Sequence, residues 1–498
     1  MSKKFIFKRA AIASLKEAVS VVADAATKDF IPAVIIQNGF KAVGDKETGE
    51  ISSLVAAVWV VTRTSTLFSR VETSVPDGYQ PIIENGRMKH DPSIRLVFAA
   101  KDFCNILGAL LGNTSSDVYL KIDDDGVTKF GSVFEDESGN SKVFEAPINR
   151  LSDEPALVDI KAPIAGVKLS GPDTQAEGQT VLGARSLLTK GMSTFSTTNE
   201  RAASAVFQLN TVTGDVVGFS ADGLMLSVAK TKGRTVKLPD EKTLAALSPE
   251  NRAKTEAEFK RVNEALDKFC ADNKAQKKEA LLCSIPGAEV KRILRLSQDV
   301  KELGIRIDPQ RMAIAFDSAM KYTFSLGAMS TFNVPNVLNK YEDKPGEEPK
   351  CLPSVEFDNE AFAKVVGFQN SIQSSLGGTD KVATHLEVSG DKLVAQSGLT
   401  GETRSEVILS AAENAEGTRA SVNGAFVKTV LEKLNAGTVN LRIAKDMLLF
   451  RNGSIENPDL NAEVGMLPIN DGWVTGEEVE PEEEADGASS EDEADEAE

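Results

Sequence analysis

Histidine is nearly absent from this chain: His90 and His385 are the only two in 498 residues. Neither has a second histidine or a cysteine at ligand spacing, so neither starts a metal site or a nucleophile–base pair. His385 alternates with Leu386 in a strand pattern, where an imidazole at the surface or a sheet edge is the default. Cysteine is scarce too. Cys104, Cys270, Cys283 and Cys351 are scattered with no CxxC pairing, which argues against a zinc site and a disulfide framework and suits a reducing cytoplasm. No apolar run reaches the roughly 18 residues of a membrane helix. The start carries basic residues, but no long apolar core or small-residue cleavage site follows, so it reads as a first strand and not as a signal peptide. The phosphate-binding GxxxxGK motif, GxGxxG after a strand, HExxH and GxSxG are all missing. The carboxylates show no spacing that singles out a catalytic pair. A non-enzymatic protein with no cofactor and no metal is therefore expected, and its architecture is expected to be its function.

Charge is distributed unevenly. The net charge is −18, yet the segment from Thr475 to Glu498 alone holds thirteen acids and no Lys or Arg, which leaves −5 for the rest. The acidic segment has almost nothing to bury and reads as a disordered tail, residues 472–498. A mildly acidic body can still carry a locally basic surface.

What the chain does have is a segment type that occurs three times. The copies run Val97–Leu110, Ser284–Leu296 and Ala420–Leu434. Each goes from an extended piece through a cap into a short amphipathic helix. An alternating strand follows each: Val118–Ile122, Leu303–Ile307 and Val439–Ile443. One strand–helix–strand–strand unit recurs, which predicts an array of similar domains. At this length about three domains is the prior.

Periodicity fills in the rest. A helix near Ala10–Ala25 carries Ile12, Leu15, Val19 and Val22 at helical spacing. Strands are expected at Ala33–Ile36 and Leu54–Thr62, then at Tyr119–Ile122 and Val127–Phe130. The turn Asp123–Gly126 between the last two could hold a cation, but Asp-Gly chemistry reads first as a hairpin. A second helix carries Leu187, Leu188, Met192 and Phe195, with strands at Val206–Asn210, Val216–Ser220 and Leu224–Ala229. Lys237–Ala280 interrupts the repeat and reads as a helical insertion, with Ser248 as N-cap, Pro249 at the first helical position and a stripe of Phe259, Val262, Leu266 and Phe269. The linker Tyr341–Pro349 precedes a third domain. There a helix is expected near Asn359–Gln369, with strands at Thr384–Val388, Lys392–Gln396 and Glu463–Ile469. The expected boundaries are 1–160, 161–345 with the insertion 237–280, and 346–471.

These residues carry a resemblance. Ser220-Ala-Asp-Gly-Leu-Met-Leu-Ser-Val228 resembles the Ala-Thr-Asp-Gly-His-Arg-Leu-Ala-Val strand of the bacterial DNA polymerase III beta subunit, the beta sliding clamp family. Lys28-Asp-Phe-Ile-Pro32 resembles its Arg-Pro-Thr-Leu-Pro segment. Val422–Phe450 resembles its last helix and strand pair, and Met466-Leu-Pro-Ile469 its terminal Met-Pro-Met stretch. The order of these segments covers nearly the whole chain. Leu224-Met225 replaces the family's His-Arg, and the insertion and the tail have no counterpart, as fits a divergent relative, bacterial or viral.

The resemblance implies an α+β chain of three clamp-fold domains, each made of two strand–helix–strand–strand halves. It implies a head-to-tail homodimeric ring around double-stranded DNA, with helices lining the hole, in the cytoplasm at the nucleoid or, for a virus, the host's replication site. Its implied function is that of a processivity factor tethering a replicative DNA polymerase. A clamp-derived scaffold for transcription or repair proteins, and a non-DNA structural or assembly protein, are the rival readings. DNA-facing cations are then expected at Lys16, Lys101, Lys190, Lys291, Arg292, Arg295, Lys364, Lys428 and Lys433 on the helices, and at Lys28 and Arg201 in loops after two first-half helices. On the helix at 290–296, Val290, Ile293 and Leu294 face the core, which leaves Lys291, Arg292 and Arg295 outward. By position, a groove for short linear peptides of the polymerase and the clamp loader would include Gly223, Leu224, Met225, Leu226, Leu467, Pro468 and Ile469. The subunit interface is expected near Phe144 and Leu376. No membrane partner is expected.

Overall fold

The chain was analysed as a computed structural model, which describes residues 3–23, 31–44, 51–75, 82–84, 87–89, 96–135, 140–151, 179–181, 184–195, 203–210, 215–234, 244–245, 247–254, 256–257, 260, 280–298, 300, 303–308, 311–316, 320–327, 334–344, 346–375, 383–397, 403–435 and 437–470. It divides into two compact units, Met1–Val337 and Leu338–Glu498.

The first unit contains four copies of one half-domain. The first copy is β1 (Lys3–Phe7), α1 (Arg9–Ala23), β2 (Ala33–Gly44), β3 (Ile51–Val61) and β4 (Ser65–Thr73). A small hairpin, β5 (Ile82–Glu84) and β6 (Arg87–Lys89), leads to the second: β7 (Leu96–Ala99), α2 (Ala100–Asn113), β8 (Val118–Ile122), β9 (Thr128–Glu135) and β10 (Ser141–Pro147). The third is β11 (Gln179–Val181), α3 (an α-turn Ala184–Ser186 running into a π-turn Leu187–Gly191), β12 (Ser204–Asn210), β13 (Asp215–Ala221) and β14 (Met225–Arg234). The fourth is β15 (Ala280–Pro286), α4 (Gly287–Leu296), β16 (Leu303–Asp308), β17 (Arg311–Ala315) and β18 (Met320–Ser325). The second unit holds two more copies. These are β19 (Ser354–Asp358), α5 (Asn359–Ser375), β20 (Thr384–Ser389), β21 (Lys392–Ser397) and β22 (Arg404–Glu413), then β23 (Arg419–Val422), α6 (Gly424–Leu434), β24 (Thr438–Ala444), β25 (Met447–Gly453) and β26 (Pro458–Met466). Each half has one strand more than the sequence pattern predicts.

The copies pair by one rule. The first strand of each half leaves its own hairpin and joins the first post-helical strand of the other half. β1 pairs with β8 and β7 with β2; β11 with β16 and β15 with β12; β19 with β24 and β23 with β20. This exchange locks two halves into one domain. The two helices of each domain pack side by side. Their apolar stripes are buried: Ile12, Leu15, Val19 and Val22 on α1, Phe103, Leu107 and Leu110 on α2, Val427, Val430, Leu431 and Leu434 on α6. Each large side chain so buried contributes about 1.5–3 kcal/mol.

A second rule concerns helix ends. The carbonyls at a helix C-terminus lack intrahelical donors. In each domain the start of the first helix supplies one to the end of the second. Arg9 donates to the carbonyls of Leu111, at 2.6 Å, and Thr114. Arg185 donates to the carbonyl of Gln298 at 2.9 Å. Asn359 Nδ2 donates to that of Leu431 at 3.3 Å.

Several expected elements differ in extent. The helix from Asn359 continues to Ser375, and the last strand spans Pro458–Met466, so Leu467, Pro468 and Ile469 lie beyond it. The Asp123–Gly126 turn is a hairpin: Gly126 N–H donates to the Asp123 carbonyl at 2.9 Å, and the Asp123 carboxylate is engaged by Lys121 and Lys129, each at 3.0 Å. Of the expected insertion, the described residues show helix at 249–254; its stripe of Phe259, Val262, Leu266 and Phe269 lies outside the described residues.

Candidate nucleic-acid interface

The six helices turn one face to the sheets and leave the other for polar residues. Lys101 is exposed in the first turn of α2, Lys428 is exposed at mid-α6, and Lys433 is half-buried on the last turn of α6. Lys16 is half-buried on α1, its Cε resting 3.9 Å from where a Cβ on Gly108 of α2 would stand. Lys364 is exposed on α5 and ion-paired to Glu360 at 2.7 Å, one helical turn away; that hydrogen bond holds its ammonium above the ordinary lysine value. Lys190 is half-buried in the π-turn of α3. Lys28 and Arg201 lie outside the described residues.

The end of the π-turn is fixed to the sheet: the carbonyl of Gly191 accepts from two buried hydroxyls, Ser220 Oγ at 2.7 Å and Ser227 Oγ at 3.1 Å. Thr194 N–H then donates to Ser220 at 3.0 Å. A Cβ at 191 would stand 2.3 Å from the Gly218 carbonyl, so only glycine permits this approach of helix to sheet.

Helix α4 corrects one expectation. Lys291 and Arg295 are exposed, Lys291 with its ammonium 5.2 Å from the Phe195 ring centroid. Arg292 is not outward. Its guanidinium is mostly buried and pairs at 2.5 Å with Glu289, itself buried. The hydroxyl of the fully buried Tyr322 donates to the other Glu289 oxygen. Burial opposes the charge on Arg292, but the Glu289 carboxylate and Tyr322 outweigh it and hold the guanidinium above its ordinary value. Burial, then the facing carboxylate, pushes the Tyr322 phenol up. The apolar count over residues 290–296 that places Arg292 outside does not include Glu289. A buried carboxylate one turn back inverts the position.

Tyr322 lies on β18, which pairs antiparallel with β4 from Met320↔Ser69 to Phe324↔Ser65. This joins the last strand of one domain to the first half of the preceding one. The Arg292–Glu289–Tyr322 chain thus runs from a cationic helix to an inter-domain strand joint.

The residues expected to form a groove fall into two groups. Asp222 Oδ1 accepts the N–H groups of Leu224 and Met225, at 2.9 and 2.7 Å, and Gly223 takes φ +102°, which turns the chain and leaves Leu224 52% exposed. Met225 and Leu226 are buried in β14. In the second unit Leu467 is exposed, Pro468 and Ile469 are half-buried, and Ile469 N–H donates to the Ser421 carbonyl at 2.7 Å.

Phe144 is 41% exposed on β10 and stacks on Phe134, centroids 4.8 Å apart. Leu376 lies outside the described residues. Further apolar side chains that the sequence pattern does not single out are exposed: Val143 at 57% on β10, and in the second unit Ile408 at 70% on β22 and Phe368 at 55% on α5. A signal for Ile408 existed. In β22 Val407 and Leu409 point inward, so isoleucine occupies the polar parity between them.

No protein-family model matches the chain, and no curated protein matches it in sequence. Its fold does match solved structures. The DNA polymerase sliding clamp from Bacillus subtilis superposes with a TM-score of 0.58 at 11% identity, over 94% of this chain and 100% of that one. The C. crescentus beta sliding clamp gives 0.57 at 14%, with the same coverage. The DNA polymerase III beta subunit from Thermotoga maritima gives 0.56 at 11%, over 94% and 99%. The chain has the fold of the bacterial DNA polymerase sliding clamps. It is a sequence-divergent example of that fold, with α+β architecture throughout. No helix among the described residues is long and apolar enough to cross a membrane.

Proposed function

We propose that this chain is a non-catalytic sliding clamp: two copies close head to tail around double-stranded DNA and tether a replicative polymerase in the cytoplasm. The observation that carries the reading is the sixfold half-domain with a cation on the polar face of each described helix. A ring held by topology needs only weak, even contacts to phosphates, and a cation recurring on every helix supplies that without sequence preference. On α4 the DNA-facing role falls to Lys291 and Arg295; Arg292 is committed to Glu289.

The free edges support closure. β4 is paired by β18 inside the first unit. The counterpart of β4 in the second unit is β22, and the counterpart of β18 in the first domain is β10. Among the described residues β10 pairs only with β9, and β22 only with β21 and β19. These two edges carry Val143, Phe144 and Ile408, with Phe368 on the helix next to β22. A β10–β22 pairing between two copies would repeat the observed joint and cover that apolar set. Leu224 and Leu467, each exposed beside a turn or strand end, fit anchors for short peptides of the polymerase and the clamp loader.

Retention on circular DNA, lost when the circle is linearised, tests encirclement. Equal retention on both forms would refute it. A polymerase-processivity assay separates this function from that of a scaffold for other DNA enzymes.

A further inference from the structure

The described part of the second unit ends on the strand that leads into a lysine-bearing helix. β26 ends at Met466, and three residues later Ile469 is tied to the Ser421 carbonyl at 2.7 Å. Ser421 lies on β23, two residues before Asn423, which caps α6 by accepting the N–H groups of Ala425 and Phe426 at 3.0 and 3.3 Å. The chain is therefore fastened to the strand that feeds this helix. Beyond Asn470 there are 28 residues, among them fourteen acids, thirteen of them from Glu477 on, and no Lys or Arg. On α6 Lys428 is exposed and Lys433 half-buried; on α5, which packs beside it, Lys364 is exposed and paired with Glu360 at 2.7 Å, a surface pair that competing anions can exchange.

Reach and concentration favour a meeting. A coil of 28 residues would have an end-to-end distance of roughly 30 Å. The eleven residues of α6 span about 16 Å. Tethering gives an effective concentration on the order of millimolar, the range in which a few exposed charge pairs acting together are partly formed. Screening over about 8 Å at physiological salt makes the contact one that phosphates can displace.

We propose that segment 475–498 is a tethered polyanion that occupies the lysine face of α5 and α6 in the absence of DNA and gives way to phosphates. The proposal rests on the reading of that face as DNA-facing. It makes the tail a brake on non-specific binding, set by salt and by the local density of phosphate.

Three full-fold proteins test it: the intact chain, a truncation after Asp471, and a chain whose thirteen tail acids are changed to amides (Glu→Gln, Asp→Asn). The first readout needs no DNA. Acetylation of Lys428, followed by mass spectrometry at 50 mM salt, should be two- to threefold slower in the intact chain than in either variant. Lys350, exposed and outside the helices, should react equally in all three, and the Lys428 difference should vanish at 0.5 M salt. Equal Lys428 rates at low salt would overturn the proposal. The second readout is affinity for a short linear duplex, which should rise three- to tenfold in both variants at 50 mM salt. Protected Lys428 with no duplex binding by any of the three proteins would count against the clamp reading and leave the docking itself standing.

Discussion

Removing one partner of a buried charge pair leaves the other without compensation, and that sets the behaviour of Arg292. In the Arg292→Ala chain Glu289 keeps only the Tyr322 hydroxyl in a buried setting. The first unit should lose roughly 3 kcal/mol, the lower end for such pairs because Arg292 retains some exposure. Denaturant unfolding measures this, and a loss below about 1 kcal/mol would show that the pair is solvated in solution. Lys291→Ala with Arg295→Ala should behave in the opposite way: stability within about 0.5 kcal/mol per site, with weaker retention on circular DNA and a shallower salt dependence. Cysteine reactivity divides the same way. Burial pushes the Cys283 thiol up to about 12, so at pH 8 roughly one molecule in ten thousand carries the thiolate. Cys351 is exposed. Iodoacetamide on the native chain at pH 8 should label Cys351 and spare Cys283 until the chain is unfolded; equal labelling rates would contradict the burial.

At the scale of elements, a helix end is worth what satisfies it. Asn423→Ala removes an acceptor for two N–H groups of α6 and should cost about 1 kcal/mol. Gly191→Ala should cost more, because the added methyl meets the Gly218 carbonyl and the Ala229 backbone with no flexible side chain to yield. Thermal unfolding of the two variants gives the ranking, and Gly191→Ala being the milder would mean that α3 can move off the sheet. These two helices also mark how far the sequence could be read. α6 was legible because Val427, Val430, Leu431 and Leu434 sit at helical spacing behind a capping Asn. α3 reads as an ordinary helix from Leu187, Leu188, Met192 and Phe195, whereas the end of its π-turn is held by Ser220 and Ser227, more than 25 residues away. Local periodicity carries no trace of such a contact. The exchange of first strands between halves was hidden for the same reason: alternation reports which face a strand buries, not its neighbour. Among the site residues, exposed lysines on regular helices followed from period alone, whereas Arg292 required knowing that a carboxylate goes inside.

At the scale of the whole molecule the question is what covers β10 and β22. An exposed apolar edge strand invites pairing, and chains usually blunt such edges with charge, proline or a cover. Here the edges keep Val143, Phe144 and Ile408 exposed, and the same chain shows the cover that fits: β18 on β4, antiparallel, with α1 and α4 in contact beneath the joint. Repeating that joint between copies uses one β10 and one β22 from each chain. Two chains then satisfy both edges at once, whereas a joint whose rotation fails to close would string chains into a filament. Each joint would place the Phe134–Phe144 stack on the helix side of the sheet, toward Phe368, and Val143 on the outer side with Ile408. The native mass should therefore be that of two chains, constant across the micromolar range, with no longer species. Ile408→Asp or Phe144→Asp places a carboxylate in the joint without touching either core, so each variant should unfold like the parent yet sediment as a single chain. Both should lose retention on circular DNA, because an unclosed chain has no topology to hold it. A variant that sediments as one chain and still stays on circles would detach DNA binding from ring closure. A parent that is a single chain at every concentration would leave these edges to a different partner.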